Sequence, residues 1–271
     1  GCYQPDGRVH LAAALVEPDD GEVDHRVLYR LDIRCPYGRE LLEKQLPQVP
    51  KGAGPPVVSH EDHTPGQGQF SDLQAMVRWL VTGEGMTEAQ AVEHVAWWRE
   101  HRNQRLDIHE QTLTWLGDLA HAGHIRLFGH DLATAGEVDA LAERGGAVAE
   151  FPTTLDSARR ARELGLLVVA GAPNVVRGGS HTGNVSASEL VAEGLVDALA
   201  SDYLPGAMLP AAMRLARDGA LSLPQAVGLL TSGPAACVGL PDRGAIREGA
   251  VADLVLADLD RPWPVVHLIA R

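Results

Sequence analysis

The chain is short of cysteine, aromatic residues and positive charge, and each shortage excludes something. Its three cysteines in 271 residues, Cys2, Cys35 and Cys237, are odd in number, far apart and form no CxxC pair. That speaks against a disulfide framework or a structural zinc knuckle and for a reducing, cytoplasmic setting. Aromatic residues make up only 4% of the chain. With 23 Lys and Arg against 36 Asp and Glu, the formal charge is −13. This excludes a general polyanion-binding surface, so nucleic acid is not an expected partner, and any anionic ligand must be gripped by a few local residues. No charged-then-apolar leader and no run of roughly 18 apolar residues is found, so the reading is a soluble protein with no membrane partner. Familiar catalytic signatures are missing too. There is no GxxxxGK[ST] loop, no GxGxxG opening a helix, and "HEDH" at 60–63 lacks the spacing of HExxH.

What is present is 45% hydrophobic residues, enough for one large α/β domain or two small ones. From residue 27 onward, short β-rich apolar runs alternate with helical stretches, the sequence form of repeated βα units. Six strands are expected, over 27–35, 55–63, 124–131, 146–154, 165–174 and 196–203. Between the second and third lies a helical insertion, 71–121, in which Thr87 and Gln90 form a capping box and Ala91, Val95 and Trp98 recur at helical spacing. Its tryptophans, Trp79, Trp97, Trp98 and Trp115, read as packing residues. After residue 223 come one helix, then a tight turn and two short strands. Before residue 27 the pattern allows at most one helix.

Polar residues collect where the strands end: His63, His130, Asp131, Thr153, Thr154, Asn174 and Asp202. In a parallel barrel that is the active-site face, although an open doubly wound sheet also binds ligands at strand C-termini. Two strand-end histidines and an aspartate form a ligand set that suits zinc, iron or manganese alike. Such a site competes with the plainer reading of hydrogen-bonded histidines near the core. His60, three residues before His63, faces the other way on the strand and is structural or supporting. Asp202 could take a proton from a metal-activated water and return it, or simply cap the turn before Pro205.

The stretch "VVAGAPNVVRGGSHTGNVSA" at 168–187 places a cation and three glycines after an apolar run. Arg177 carries a donor fork suited to phosphate, Gly178 and Gly179 let main-chain amides approach a ligand, and Ser180, His181 and Asn184 add donors. The competing reading is an ordinary flexible loop. "DHTPGQGQF" at 62–70, with Gln67, and "FPTT" at 151–154, with Thr153 and Thr154, complete one polar mouth.

Taken in order, "DHTPGQGQF", "GHD", "AEFPTT", "GAPNVVRGGSHTGNVSASEL", "SDYLP" and "GLPDRGAIREGAVADLVLAD" closely resemble the PhnM-type alpha-D-ribose 1-methylphosphonate 5-triphosphate diphosphatases of the amidohydrolase superfamily. The match runs from about residue 26 onward. The resemblance implies a distorted (β/α)8 TIM-like barrel over 1–240 with the insertion 71–121, and the C-terminal part of a small β-domain over 241–271. It implies a hydrolase that cleaves a phosphorylated ribose phosphonate, releasing pyrophosphate, with one or two divalent metal ions as cofactor. His63, His130 and Asp202 are the implied metal ligands, and Asp202 and His181 the catalytic candidates. Arg177, Gly178, Gly179, Ser180, Asn184, Thr153, Thr154 and Gln67 are the implied substrate contacts.

The expected partner is a small phosphorylated substrate, and a homodimer is one compatible assembly. Two alternatives stand beside this reading: hydrolysis of a cyclic amide or acyl group, and a catalytically impaired chain that binds an anionic ligand. Two features depart from the family. No His-x-His or His-x-Asp precedes the six strands, so the first two barrel strands are expected to be missing. "RLDIRCPYG" has Pro36 where the family carries an acidic metal bridge, leaving Asp32 as the nearest substitute.

Overall fold

The computed structural model describes residues 26–48, 54–180, 183–261 and 263–270. The segment before residue 26 lies outside them, with the helix expected there. The chain divides into two compact units, one ending at Gly146 and the other beginning at Ala147. Each follows from its own alternation of strands and caps.

The first unit holds three parallel strands laid down in chain order: β1 (Leu28–Asp32), β2 (Val57–Glu61) and β3 (Arg126–His130). Between β1 and β2 runs α1 (Gly38–Gln45). The insertion resolves into three helices, α2 (Leu73–Gly83), α3 (Glu88–Asn103) and α4 (Leu106–His121), and α5 (Ala135–Glu143) follows β3. The expected capping box of Thr87 with Gln90 opens α3, and Thr134 with Glu137 repeats it at α5. Met76, Val77 and Leu80 of α2 pack with Ala91 and Val95 of α3, and Trp98 lies against them. Two of the four insertion tryptophans are not core: Trp79 and Trp97 are exposed, and Trp97 stacks on His101 with 5.2 Å between ring centroids. The sequence expectation erred there because an exposed helical face can also carry an aromatic ring over its own neighbours.

Register fixes which side chains share a face. Leu31 lies opposite His60 and His60 opposite Gly129, so these three share one face of the sheet with Tyr29, Val58 and Leu127. Asp32 lies opposite Glu61 on the other face, with Arg30, Ser59 and Phe128. By the same alternation His130 joins Glu61. β1 alternates strictly, exposed at Leu28 and Arg30 and buried at Tyr29 and Leu31.

The second unit also holds three parallel strands in chain order, β4 (Val148–Glu150), β5 (Leu167–Gly171) and β6 (Ala198–Ala200). α6 (Leu155–Glu163) joins the first two, and α7 (Ala172–Arg177) and α8 (Ala187–Ala192) lie between the last two. α9 (Met208–Arg217), α10 (Leu223–Gly228) and α11 (Ser232–Cys237) follow. The single helix expected after residue 223 is therefore two. Ala170, Val175, Leu190, Leu199, Ala211 and Leu215 belong to one apolar core. Gly233 is obligatory at its place, because a Cβ there would stand 1.8 Å from the Asp197 carbonyl oxygen. The unit ends in an antiparallel pair, β7 (Leu254–Asp258) and β8 (Val265–Ala270), with a register shift between Leu256 and Ala257.

Six strands, each parallel to its partners and added in chain order within its unit, match the expected α/β class. Addition in chain order is the progression of a (β/α) barrel; a doubly wound sheet reverses its order. No helix among the described residues is long and apolar enough to cross a membrane. Among the described residues Cys237 is a buried free thiol. Among the described residues, three other than glycine adopt left-handed backbone: Asp131 (φ 57°) and Phe151 (φ 55°) directly after β3 and β4, and Asp202 (φ 49°) two residues after β6.

Candidate metal centre

Glu61, His63 and His130 each offer one ligand atom, and these atoms lie within 4.8 Å of one another. Strand register brings Glu61 and His130 side by side, and His63 follows two residues beyond Glu61. The imidazole rings of His63 and His130 stand 5.7 Å apart at 64°. Asp131 adds a carboxylate: its Oδ2 is 3.2 Å from His63 Nε2 and 3.3 Å from His130 Nε2. His63 Nδ1 is 3.9 Å from Glu61 Oε2. Burial opposes a proton on His63, but its hydrogen bond to Asp131 and the charges of Glu61 and Asp131 outweigh burial and raise its pKa. Two imidazoles and one carboxylate are the donor set expected for zinc, iron or manganese, so the residues present fit such an ion.

A second charged cluster braces the loop after β2. Asp62 Oδ1 accepts from the backbone N–H and the hydroxyl of Thr64, at 3.0 and 2.5 Å, which folds the loop back on itself. Arg34 Nε donates to Asp62 Oδ2 at 2.7 Å, and its Nη2 donates to Gln67 Oε1 at 3.3 Å. From the end of α3, Arg102 donates to both oxygens of Asp32, at 2.7 and 2.8 Å, to Asp62 at 3.2 Å, and to Thr64 Oγ1 at 2.8 Å. Arg34 and Arg102 are only 1% and 3% exposed. Burial would raise the Asp62 carboxyl, but the Thr64 and Arg34 contacts hold it below the usual carboxylate range. Asp32, considered as a substitute metal ligand, is thus held in the fork of Arg102 and stands outside the trio.

A cavity of about 420 Å³ adjoins the trio, with His60, Asp62, Gln67, His109, His130 and Asp131 on its walls. His60 lies on the face away from Glu61, as its spacing predicts, and burial beside Arg144 lowers its pKa to about 4.

In the second unit, Arg177 is not in a loop. It ends α7, a short helix with Pro173 in its first turn and Gly178 at φ 88° as its left-handed cap. The amides of Gly178 and Gly179 donate to Asn174 O at 3.0 and 3.1 Å. In the structure their N–H groups close the helix. Arg177 Nη2 donates to the Tyr203 hydroxyl at 2.5 Å, beside the exposed Asp202. The connection carrying Ser180 and Asn184 is anchored at Thr153 O by Val185 N (3.0 Å) and at Asn174 Oδ1 by Ala187 N (2.9 Å). Thr153 is buried, and the Thr154 hydroxyl caps α6 by accepting from Ser157 N. His181 lies outside the described residues.

Of the expected ligands, His63 and His130 come together, and Asp202 belongs to the other unit. Sequence reasoning missed Glu61 and Asp131 as partners of the two histidines. The signal for Glu61 was its i, i+2 spacing from His63 at the end of a strand, which places both on one side. Arg34 and Arg102 gave no local signal, because their partners lie 28 to 70 residues away.

Residues 185–265 match the model of the amidohydrolase family. The chain is 39% identical over 246 residues to the alpha-D-ribose 1-methylphosphonate 5-triphosphate diphosphatase of Escherichia coli (strain K12), covering 86% of this chain and 61% of that protein. The chain thus spans about three fifths of the length of that relative. A dihydroorotase of Geobacter sp. (strain M21) is 32% identical over 95 residues, 28% of this chain and 22% of that one. Among solved structures, the 5-methylcytosine deaminase of Klebsiella pneumoniae superimposes at TM-score 0.48 and 15% identity, covering 97% of this chain and 72% of that one. Over most of its length the chain is thus similar to the Escherichia coli diphosphatase, and over residues 185–265 to the amidohydrolase family.

Proposed function

We propose that the chain carries the hydrolytic activity of that diphosphatase: cleavage of a ribose phosphonate 5-triphosphate to the 5-phosphate and pyrophosphate, in the cytoplasm. The observation that carries the reading is the 39% identity sustained over 86% of the chain. His63, His130 and Glu61 would hold a divalent ion, which when bound supplies Lewis acidity toward a phosphoryl oxygen or a water.

The chain's own residues do the rest. Asp131 orients the imidazole of His63 through its hydrogen bond. Arg34 holds the Gln67 amide in place at the rim of the cavity. Arg177 pairs its fork with phosphate oxygens, exchanging its Tyr203 contact for a charged one. Asp202 is proposed as the proton acceptor and His181 as a further proton-transfer group, both on the family resemblance. Ser180, Asn184, Thr153 and Thr154 keep their proposed place as substrate contacts, as does the assignment of 241–271 to a small β-domain.

The test is pyrophosphate release from the ribose phosphonate triphosphate by purified chain supplied with zinc, manganese or iron. Activity that falls at least a hundredfold in His63→Ala is the expected result; no release with any of the three ions rejects the reading. Partial matches to dihydroorotases favour a second reading, hydrolysis of a cyclic amide. Turnover of dihydroorotate without pyrophosphate release would select it.

A further inference from the structure

The metal reading leaves one side chain of the site without a task. Arg30, on the same face of β1 as Asp32, reaches into the ligand trio: its Nη1 is 3.2 Å from His130 Nε2, and its Nε is 3.7 Å from Glu61 Oε2. A guanidinium has only N–H groups to offer, so the first contact is made to the lone pair of the imidazole nitrogen. That is the pair of electrons a metal ion would take. Arg30 therefore engages two of the three ligand groups, and a guanidinium and a metal ion cannot share His130 Nε2.

Charge sharpens the conflict. A divalent ion about 4 Å from a guanidinium is repelled strongly enough to cost it orders of magnitude in affinity when the surroundings screen weakly. The side chain can nevertheless leave. Arg30 is 36% exposed, on the open face of β1, so it can swing into water without opening a cavity. The buried arginines nearby have no such freedom, being held by Asp32 and Asp62.

We propose that Arg30 is a built-in competitor for the metal: in the metal-free chain its guanidinium holds Glu61 and His130, and a divalent cation binds by displacing it into solvent. The proposal rests on the reading of Glu61, His63 and His130 as a metal centre. The experiment titrates the metal-free 271-residue chain with zinc against a chromophoric chelator, for wild type, Arg30→Met, Arg30→Lys and His63→Ala, with circular dichroism confirming that each is folded.

Arg30→Met should bind zinc at least about tenfold more tightly than wild type, and Arg30→Lys, which keeps the charge, should stay within about threefold of it. A methionine variant that binds no more tightly than wild type, or no more tightly than the lysine variant, overturns the role of Arg30. The control separates the two layers. Zinc binding that survives His63→Ala undiminished would show that the ion sits elsewhere, and the metal reading would fall with everything that rests on it.

Discussion

The strand ends of the first unit and those of the second solve the same problem in opposite ways. At the ends of β1 and β2 the charged groups are cross-linked, the arginines buried and the carboxylates partly so: Arg34, Arg102, Asp32, Asp62 and Thr64 satisfy one another, and Gln67 is held by the same network. At the ends of β5 and β6, Asp202 and Tyr203 are exposed, and the Arg177 guanidinium meets the Tyr203 hydroxyl. The first arrangement fixes geometry before any ligand arrives, while the second leaves a cation at the surface with an exchangeable partner. The difference teaches where stability and where ligand affinity should reside.

The most damaging way to break the first arrangement is Arg102→Ala, which removes a buried guanidinium and strips two partly buried carboxylates of it. It should cost about 3–5 kcal/mol, read as a lower urea midpoint, and an unaltered midpoint would mean the network carries no weight. Arg177→Ala probes the other side. Being partly exposed, it should shift stability by under about 0.5 kcal/mol while lowering kcat/KM on the triphosphate by roughly 10- to 150-fold, the worth of a charge-assisted hydrogen bond.

His60 sharpens the contrast within one strand, between its two faces. Its folded pKa of about 4 lies below the ordinary value of 6.5, so the unfolded chain binds the proton more readily. Stability from this group is complete above pH 6.5 and is lost as pH falls toward 4, by up to about 1.4 kcal/mol per pH unit. Chemical unfolding of chelator-treated protein between pH 7.5 and 5 checks it, and a His60→Leu variant should flatten that slope. Thr154→Ala is the mildest test. As a helix cap it should cost about 1 kcal/mol in thermal unfolding, and as a proposed substrate contact it should also lower turnover; unchanged turnover would leave it a cap alone.

Much of this was legible in the residues and some was not. All six parallel strands stand where the β-rich runs place them, because apolar alternation and Gly-containing turns are local signals. The run 165–174 was extended too far as a strand, although Pro173 and Gly178 bracket α7 with the ordinary start and stop marks of a helix. His63 and His130 were legible as strand-end imidazoles. Glu61 is hard to read in "HEDH", because only the two-residue period of a strand, and not a helical spacing such as HExxH, pairs it with His63. The salt-bridge network could not be read at all: Asp32 meets Arg102 across 70 residues, through an insertion whose docking only tertiary packing determines.

The left-handed residues that follow the strands carry a last consequence. Glycine would relax at positions 131 and 202 more readily than aspartate does, by about 1 kcal/mol at each. Selecting such substitutions for thermal robustness would favour them and, in the same step, delete the acidic group at each kink. Hardening this chain against heat and keeping its chemistry therefore pull on the same two codons in opposite directions.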